Sequence, residues 1–143
     1  EPGSSLSANV YEAAEGLGAV IGQFREIPKS VKRCPESIAE FYKCISWPSS
    51  ASYRASVDQV EMDSIRFGQL QLLPKSIQIP DSEGADFFAI GSHSGDAWIL
   101  VLDGNDCGSH DPIVYEIDHE CPTEEPAGEL GRLSAFLQRC VRE

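Results

Sequence analysis

The second half of this chain is a series of short apolar runs separated by turn-forming residues, and this pattern restricts its possible folds. Four runs have the length of β-strands, and they span residues 76–79, 86–90, 97–102 and 113–118. In the last run the odd-numbered positions are apolar, which is typical of a strand with one partly solvated face. The sequence therefore predicts a β-sheet over this half of the chain.

The connection between two of these runs contains two glycines and a carboxylate. Gly91, Gly95 and Asp96 lie in the segment 91–96, and glycine adopts the backbone conformations that a tight hairpin connection requires. An aspartate in such a turn can accept hydrogen bonds from nearby backbone amides. These three residues are therefore predicted to form a structural turn.

Helical periodicity marks the first half of the chain. Residues 9–12 read as a capping box, which predicts a helix that begins after Asn9. Pro35 suits the first turn of a second helix, which is expected to end near Trp47. The segments 53–57 and 64–71 fit either short strands or a third helix, with strands favoured.

A last helix is predicted near the C-terminus. Apolar residues recur there on one helical stripe: Leu130, Leu133, Leu137 and Val141. Helices at both ends of a mostly antiparallel sheet make an α+β fold. We expect residues 1–8 to form a flexible N-terminal segment and residues 9–143 to form one domain.

Charge is unevenly distributed along the chain. No lysine or arginine occurs over the 56 residues 76–131, and this stretch carries 13 of the 23 acidic residues. Residues 1–80 carry nine acids and eight bases, whereas residues 81–143 carry fourteen acids and three bases. A net charge of −12 repels nucleic acid and anionic lipid and attracts cationic partners. The charge therefore argues against nucleic acid and membranes as partners.

The cysteines and the apolar runs bear on where the protein works. Five cysteines, an odd number without a CxxC pair, occur in a chain long enough to fold without crosslinks. This usage predicts free thiols in a cytoplasmic protein. The longest apolar run, residues 98–102, is far shorter than the roughly 20 residues that cross a bilayer. No transmembrane segment is predicted.

Residues with catalytic or metal-binding chemistry are present, but their spacing does not build a site. Cys107 and His110 lie in an acidic segment, and neighbouring anions raise the pKa of a thiol and suppress the reactive thiolate. No histidine and cysteine have zinc-finger spacing. In Gly-Ser-His-Ser-Gly at 91–95, histidine stands where a nucleophile elbow needs serine. We therefore predict no catalytic residues, no metal and no cofactor.

Two segments carry a resemblance to a known family. Residues 87–103 contain a strand ending in Ile-Gly, a Gly-Asp turn and an apolar strand ending in Asp. Residues 112–120 read Pro-Ile-Val-Tyr-Glu-Ile-Asp-His-Glu, and Leu-Ser-Ala-Phe-Leu follows at 133–137. This series resembles the SUKH superfamily, which includes cell-wall-synthesis regulators and bacterial immunity proteins. The match is best over residues 86–120, and an Asn-Gly that often follows the family's proline-led helix is replaced by Ser46-Trp47-Pro48.

The resemblance implies an antiparallel sheet flanked by helices, no enzymatic activity, and, for bacterial members, the binding and neutralisation of a toxin. Many such toxins are nucleases, which are commonly basic. An inhibitor of a cationic site can present carboxylates where phosphates would bind. We expect the toxin to meet an acidic surface formed by Asp103, Asp106, Asp111, Glu116, Asp118, Glu120, Glu124 and Glu125. The alternative function is a regulatory scaffold or a peptide-binding module of the same fold.

Overall fold

The structure, a computed structural model, describes residues 5–31, 33–74, 86–104, 110–120 and 128–143. The helices within these residues are α1 (Ala8–Gly16), α2 (Glu36–Cys44) and α3 (Leu133–Arg139). The strands are β1 (Val20–Ile21), β2 (Ile45–Ser46), β3 (Tyr53–Val57), β4 (Val60–Leu72), β5 (Phe87–His93), β6 (Trp98–Asp103), β7 (Ile113–Asp118), β8 (Gly128–Arg132) and β9 (Val141–Arg142). The strand predicted at 76–79 lies outside the described residues.

Seven of the described strands form one antiparallel sheet in the order β8-β7-β6-β5-β4-β3-β9, and β1 pairs with β2 separately. The first half of β4 pairs with β3, and its second half pairs with β5. Asp58 and Gln59, both with positive φ, connect β3 to β4 as a two-residue hairpin. The predicted α+β fold, with helices at both ends of an antiparallel sheet, is confirmed.

The helices cover one face of the large sheet, and the main core lies between them. Val10 and Ala14 of α1, Ile38 and Phe41 of α2, and Leu133 and Phe136 of α3 are buried there against strand residues such as Leu100 and Leu102. Alternate residues of the strands build a smaller cluster on the other face: Leu73, Phe87, Ala89, Val101 and Ile117. Both faces of β5 and β6 are therefore apolar, as expected for strands inside a sheet.

Helix α1 begins earlier than the capping box predicted. Ser7 is its N-cap, and the Ser7 side chain accepts a hydrogen bond from the Asn9 amide at 3.2 Å. The Ser7 amide in turn donates to the His110 carbonyl at 2.8 Å, so contact with a distant segment fixes the entry of the chain. The prediction that Asn9 caps the helix is therefore wrong, because this contact brings Ser7 rather than Asn9 to the cap position.

Residues 5–7 are held by a buried glutamate. Glu40, which is 5% exposed, accepts hydrogen bonds from the amides of Ser5 at 3.0 Å and Leu6 at 3.1 Å. The Tyr11 hydroxyl donates to the same carboxylate. Leu6 itself is buried, so this part of the segment that was expected to be flexible packs into the core.

The proline-led helix is present and is followed by a cluster of aromatic rings. Helix α2 begins after Pro35, as predicted, but ends at Cys44, because Ile45 already pairs with Ile21 in the small sheet. Trp47 then packs against Phe67 with ring centroids 4.5 Å apart and against Tyr53 at 5.9 Å. Trp47 is therefore a partly buried aromatic residue packed against the main core.

The C-terminal segment is not the single helix that the sequence predicted. Leu130 lies in β8 and Val141 in β9, so only Leu133 and Leu137 of the four stripe residues lie in α3. Gly131 has φ +96°, which a continuous helix would not accept, and Cys140 is already extended at ψ 141°. Sheet pairing at both flanks therefore overrides the helical periodicity of this segment.

None of the described helices is long and apolar enough to cross a membrane.

Candidate functional site

The acidic residues predicted to form one surface are divided between two ends of the sheet. Asp118 lies opposite Trp98 in the β6–β7 pairing, whereas Asp103 lies beyond the Leu102–Val114 pair at the other end. Trp98 and Asp103 are five residues apart on one strand, or about 16 Å. The predicted Asp106, Glu124 and Glu125 lie outside the described residues. The described acids therefore lie at two ends of the sheet, and whether one partner meets both ends stays a prediction.

The Asp111 carboxylate supports a helix. Its carboxylate accepts hydrogen bonds from the amide of Ser134, at 2.8 Å, and from the Ser134 hydroxyl. Arg132, the N-cap residue of α3, has no capping side-chain bond of its own. Asp111 therefore supplies the cap from another segment of the chain. Its predicted role as a partner-binding acid stays a prediction.

Glu116 is also engaged within the protein. Its Oε2 lies 2.7 Å from Nε2 of His93, and the Glu116 side chain is 15% exposed. A carboxylate can only accept here, so the His93 Nε2–H donates. The sequence placed Glu116 on a partly solvated face, but that face carries Leu100 and Val114 into the main core. Glu116 is therefore half-buried and paired.

His93 is the residue of this region that sequence reasoning missed. It is 2% exposed, its Nδ1 lies 2.8 Å from the Ser94 hydroxyl, and its ring stacks on Trp98 with an interplanar angle of 3° and a centroid distance of 6.0 Å. The signal available in the sequence was its position five residues before Trp98, which places the two opposite each other across a hairpin. Glu116 holds the His93 ring, and His93 in turn stacks on the Trp98 ring.

The hairpin turn itself covers residues 94–97 and has an uncommon backbone. Ser94, Gly95 and Asp96 have φ values of +55°, +66° and +70°, so two residues with side chains adopt a conformation that favours glycine. Asp96 Oδ1 accepts from the Ser92 hydroxyl at 2.6 Å, whereas the turn sequence predicts backbone amides as its donors. The Ser94 amide also donates to the Asp63 carbonyl at 2.6 Å, which fastens the turn to β4.

Gly91 does not belong to the turn, although the sequence placed it there. It lies in β5 opposite Leu100, where the pairing is irregular. A Cβ at this position would lie 2.2 Å from the Arg66 carbonyl oxygen of β4. Glycine is therefore required at this position because two strands approach closely, and a turn conformation is not the reason.

One concave surface is lined by two of the predicted acids, Asp118 and Glu120, and by part of the turn. Its volume is about 500 Å³, and the lining residues are Gly95, Asp96, Ala97, Trp98, Asp118, His119 and Glu120. Asp96 and Glu120 are exposed, whereas Asp118 is half-buried and accepts a hydrogen bond from the Glu120 amide at 2.9 Å. We call this surface, defined by Asp96, Trp98, Asp118 and Glu120, the turn end.

A second group of polar residues forms a contrasting region, which we call the anchored end: Glu40, His110, Asp111 and Ser134. His110 Nδ1 lies 3.1 Å from the Ser5 carbonyl oxygen, so His110 and Glu40 hold the same N-terminal segment. Asp111 and Ser134 connect the start of β7 to α3. The carboxylates of this region are used by the fold.

The three described cysteines have raised thiol pKa values, which disfavours a role as nucleophiles. Cys34, Cys44 and Cys140 are free thiols. Burial, with a smaller effect of Glu36, raises the pKa of Cys34 to about 11, and burial raises the pKa of Cys140 to about 12. The pKa of Cys44 is also raised, mainly by burial and to a smaller extent by the charge of Glu40. The reactive thiolate is therefore disfavoured at each of the three. Cys107, the thiol considered from sequence, lies outside the described residues.

Metal-ligating side chains do not converge in the part of the chain that the structure describes: no three His, Cys, Asp or Glu residues there are arranged to hold an ion.

Comparisons with protein-family models, with curated proteins and with solved structures show no significant match to this chain. The resemblance of residues 86–120 to the SUKH superfamily therefore stays a prediction from the sequence.

Proposed function

We propose that this protein is a non-enzymatic immunity protein that binds and neutralises a bacterial toxin domain, with a basic nuclease as the expected toxin. The observation that carries this proposal is the turn end. Asp96, Asp118 and Glu120 line one concave surface there, and among the described residues no lysine or arginine lines it. The family resemblance supplies the toxin as the kind of partner, and the geometry supports where a cationic one would dock.

A cationic side chain of the partner fits the arrangement of these residues. Three carboxylates and a partly exposed indole ring line this surface, and an arginine can stack on such a ring while its planar fork bonds a carboxylate at two points. Aromatic rings and arginines are enriched among the residues that dominate interface energy. We therefore expect Trp98 to be the centre of the interface.

The turn end is also held in place before any partner arrives. Trp98 is stacked on His93, and His93 is bonded on both ring nitrogens, to Glu116 and to Ser94. The turn is fastened through Ser92 to Asp96 and through Asp63 to Ser94. Groups fixed in this way lose little conformational entropy on binding, so more of the interaction energy is retained as affinity.

Net charge supports the same partner through the rate of encounter. The chain carries −12 at pH 7, and two oppositely charged proteins associate faster at low ionic strength. A cationic partner would therefore bind with an on-rate that falls as salt is added.

Co-expression tests the proposal. We expect the product of the adjacent gene to arrest growth when it is expressed alone and to be harmless when this chain is present. The informative variant is the triple neutralisation Asp96→Asn, Asp118→Asn and Glu120→Gln. Asparagine keeps the Oδ1 acceptors at both aspartate positions and tolerates the positive φ of residue 96. This variant should fold and fail to protect.

The matched control neutralises three exposed acids away from the turn end: Glu12→Gln, Glu15→Gln and Glu129→Gln. Its net charge changes by the same amount, so loss of protection in both triples would show that only overall charge matters. Protection by the turn-end variant at the level of the unchanged protein would contradict the proposed docking surface.

A further inference from the structure

A second concave surface has the opposite charge to the turn end. It has a volume of about 370 Å³, and Arg25, Arg66, Phe24, Trp47 and Phe67 are among its lining residues. Within the described ranges no aspartate or glutamate lines it, although acids outnumber bases two to one in the whole chain, 23 to 11. We call this surface the arginine cleft.

Arg25 is a fixed positive charge in the cleft. Its Nη1 donates to the Gly68 carbonyl at 2.8 Å, and its Nη2 donates to the carbonyls of Tyr42 at 2.8 Å and Ile45 at 3.2 Å. The guanidinium also stacks on the Tyr42 ring at 4.0 Å. These acceptors are neutral, so they orient the guanidinium without cancelling its charge, and part of its five-donor fork stays available.

Arg66 is a second, adaptable charge at the same surface. It is exposed on β4, and no hydrogen-bond or ion-pair partner for its side chain lies within the described ranges. A long exposed side chain can turn towards a bound anion, whereas Arg25 cannot move. The cleft therefore offers one preorganised and one mobile cation.

The remaining walls of the cleft are aromatic. Phe24 is 47% exposed, and Trp47 packs against Phe67 with ring centroids 4.5 Å apart. Ser46 and Ser49 add hydroxyl groups. A volume of a few hundred Å³ with apolar walls and a few polar groups is typical of small-molecule sites and is too small for a folded partner.

We propose that the arginine cleft binds a small anion with a planar apolar body. Aromatic carboxylates and aromatic phosphates are the two classes of compound with this chemistry. The planar body lies against the aromatic walls, and the anionic group bonds the guanidinium groups of Arg25 and Arg66. This inference is independent of the proposed toxin binding, because the two surfaces share no lining residue.

The chain contains a built-in reporter for each surface. It has two tryptophans, and Trp47 lines the arginine cleft whereas Trp98 lines the turn end. Trp47 Nε1 is buried and has no acceptor within the described residues, so its resonance depends on the rings and charges placed beside it. A spectrum of the two indole N–H groups therefore separates binding at one surface from binding at the other.

The experiment is an NMR titration of the full chain with benzoate, with phenyl phosphate, and with neutral benzamide as the uncharged control. We expect the Trp47 indole signal to shift to saturation with at least one anion at concentrations up to about 20 mM, and the Trp98 signal to stay in place. Arg66→Gln should weaken the binding at least about tenfold, because a charge-assisted hydrogen bond is lost. The two anions distinguish a carboxylate from a phosphate site.

Arg54→Gln is the matched control, since Arg54 is exposed on β3 and does not line the cleft. It should change the affinity less than about twofold. The proposal is overturned if neither anion shifts the Trp47 signal, if benzamide binds as tightly as the anions, or if Arg54→Gln and Arg66→Gln weaken binding equally. The proposal would also be overturned if sedimentation showed a dimer and Phe24 were buried between its two copies, because a second copy would then occupy the cleft.

Discussion

The anchored end and the turn end of the sheet both carry carboxylates, but they use them differently. At the anchored end, Glu40 binds two backbone amides and a tyrosine, and Asp111 binds the first turn of α3. At the turn end, Asp96 and Glu120 are exposed on a concave surface beside Trp98. The same residue types therefore stabilise the fold in one region and are exposed on a concave surface in the other.

This difference shows why net charge alone does not locate a binding surface. Burial and hydrogen-bond partners decide which acids are free, and Asp111 and Glu116 are both occupied by the fold. Substitutions at the two ends should accordingly separate stability from binding. The expected effects decrease from the buried glutamate of the anchored end to the exposed acids of the turn end.

The largest effect is expected for Glu40→Ala. The substitution leaves two amides and a tyrosine hydroxyl without their acceptor, so unfolding free energy should fall by about 3 kcal/mol. Urea denaturation measures this, and Glu12→Ala, at an exposed position of α1, is the control with an expected change below about 0.5 kcal/mol. Equal effects of the two substitutions would show that Glu40 does not hold the N-terminal segment.

The second effect concerns the cap that Asp111 provides for α3. Asp111→Ala should lower the free energy of unfolding by about 1 to 2 kcal/mol, the range for loss of a helix cap. A double-mutant cycle with Ser134→Ala should give a coupling energy of at least about 0.5 kcal/mol, because the two side chains are bonded. Strict additivity would mean that this bond contributes nothing.

The rate at which Cys44 reacts with a thiol reagent measures how firmly Glu40 holds the anchored end. Cys44 is 1% exposed, and burial and the Glu40 charge raise its pKa, so the neutral thiol should react slowly with a maleimide at pH 8. Glu40→Ala removes that charge and loosens the region, so the rate should rise at least about tenfold. The turn-end triple neutralisation should leave the rate unchanged. Peptide mapping by mass spectrometry follows this one cysteine.

The smallest effect on stability is expected at the turn end. Neutralising Asp96, Asp118 and Glu120 as amides keeps the bonds from the Ser92 hydroxyl and the Glu120 amide, so the free energy of unfolding should change by less than about 1 kcal/mol. Urea denaturation of this triple variant and of Glu40→Ala, measured under the same conditions, gives the comparison. A loss as large as that of Glu40→Ala would show that these acids also support the fold.

Much of the fold could be predicted from local patterns. The alternation in residues 113–118 matches β7, and Pro35 marks the start of α2. The C-terminal segment could not be predicted, because Leu130 and Val141 fit a helical stripe and only sheet pairing with distant strands makes them extended.

The roles of individual acids were predictable only in part. The structure places Asp96 in the turn and Glu120 at an exposed position, whereas the partner-binding role of Glu120 stays a prediction. Glu116 looks equivalent to Asp118 in the strand pattern, yet one is paired with a buried histidine and the other lines the concave surface. Which face of β7 receives the helices depends on long-range packing, and no local pattern contains that information.

Binding of a cationic partner at the turn end is tested by the affinity of the purified complex. Calorimetry with the product of the adjacent gene should show that the turn-end triple neutralisation weakens binding at least about tenfold and flattens its dependence on salt. The control triple at Glu12, Glu15 and Glu129 should stay within about twofold of the unchanged protein. Equal affinities for both triples would contradict the account.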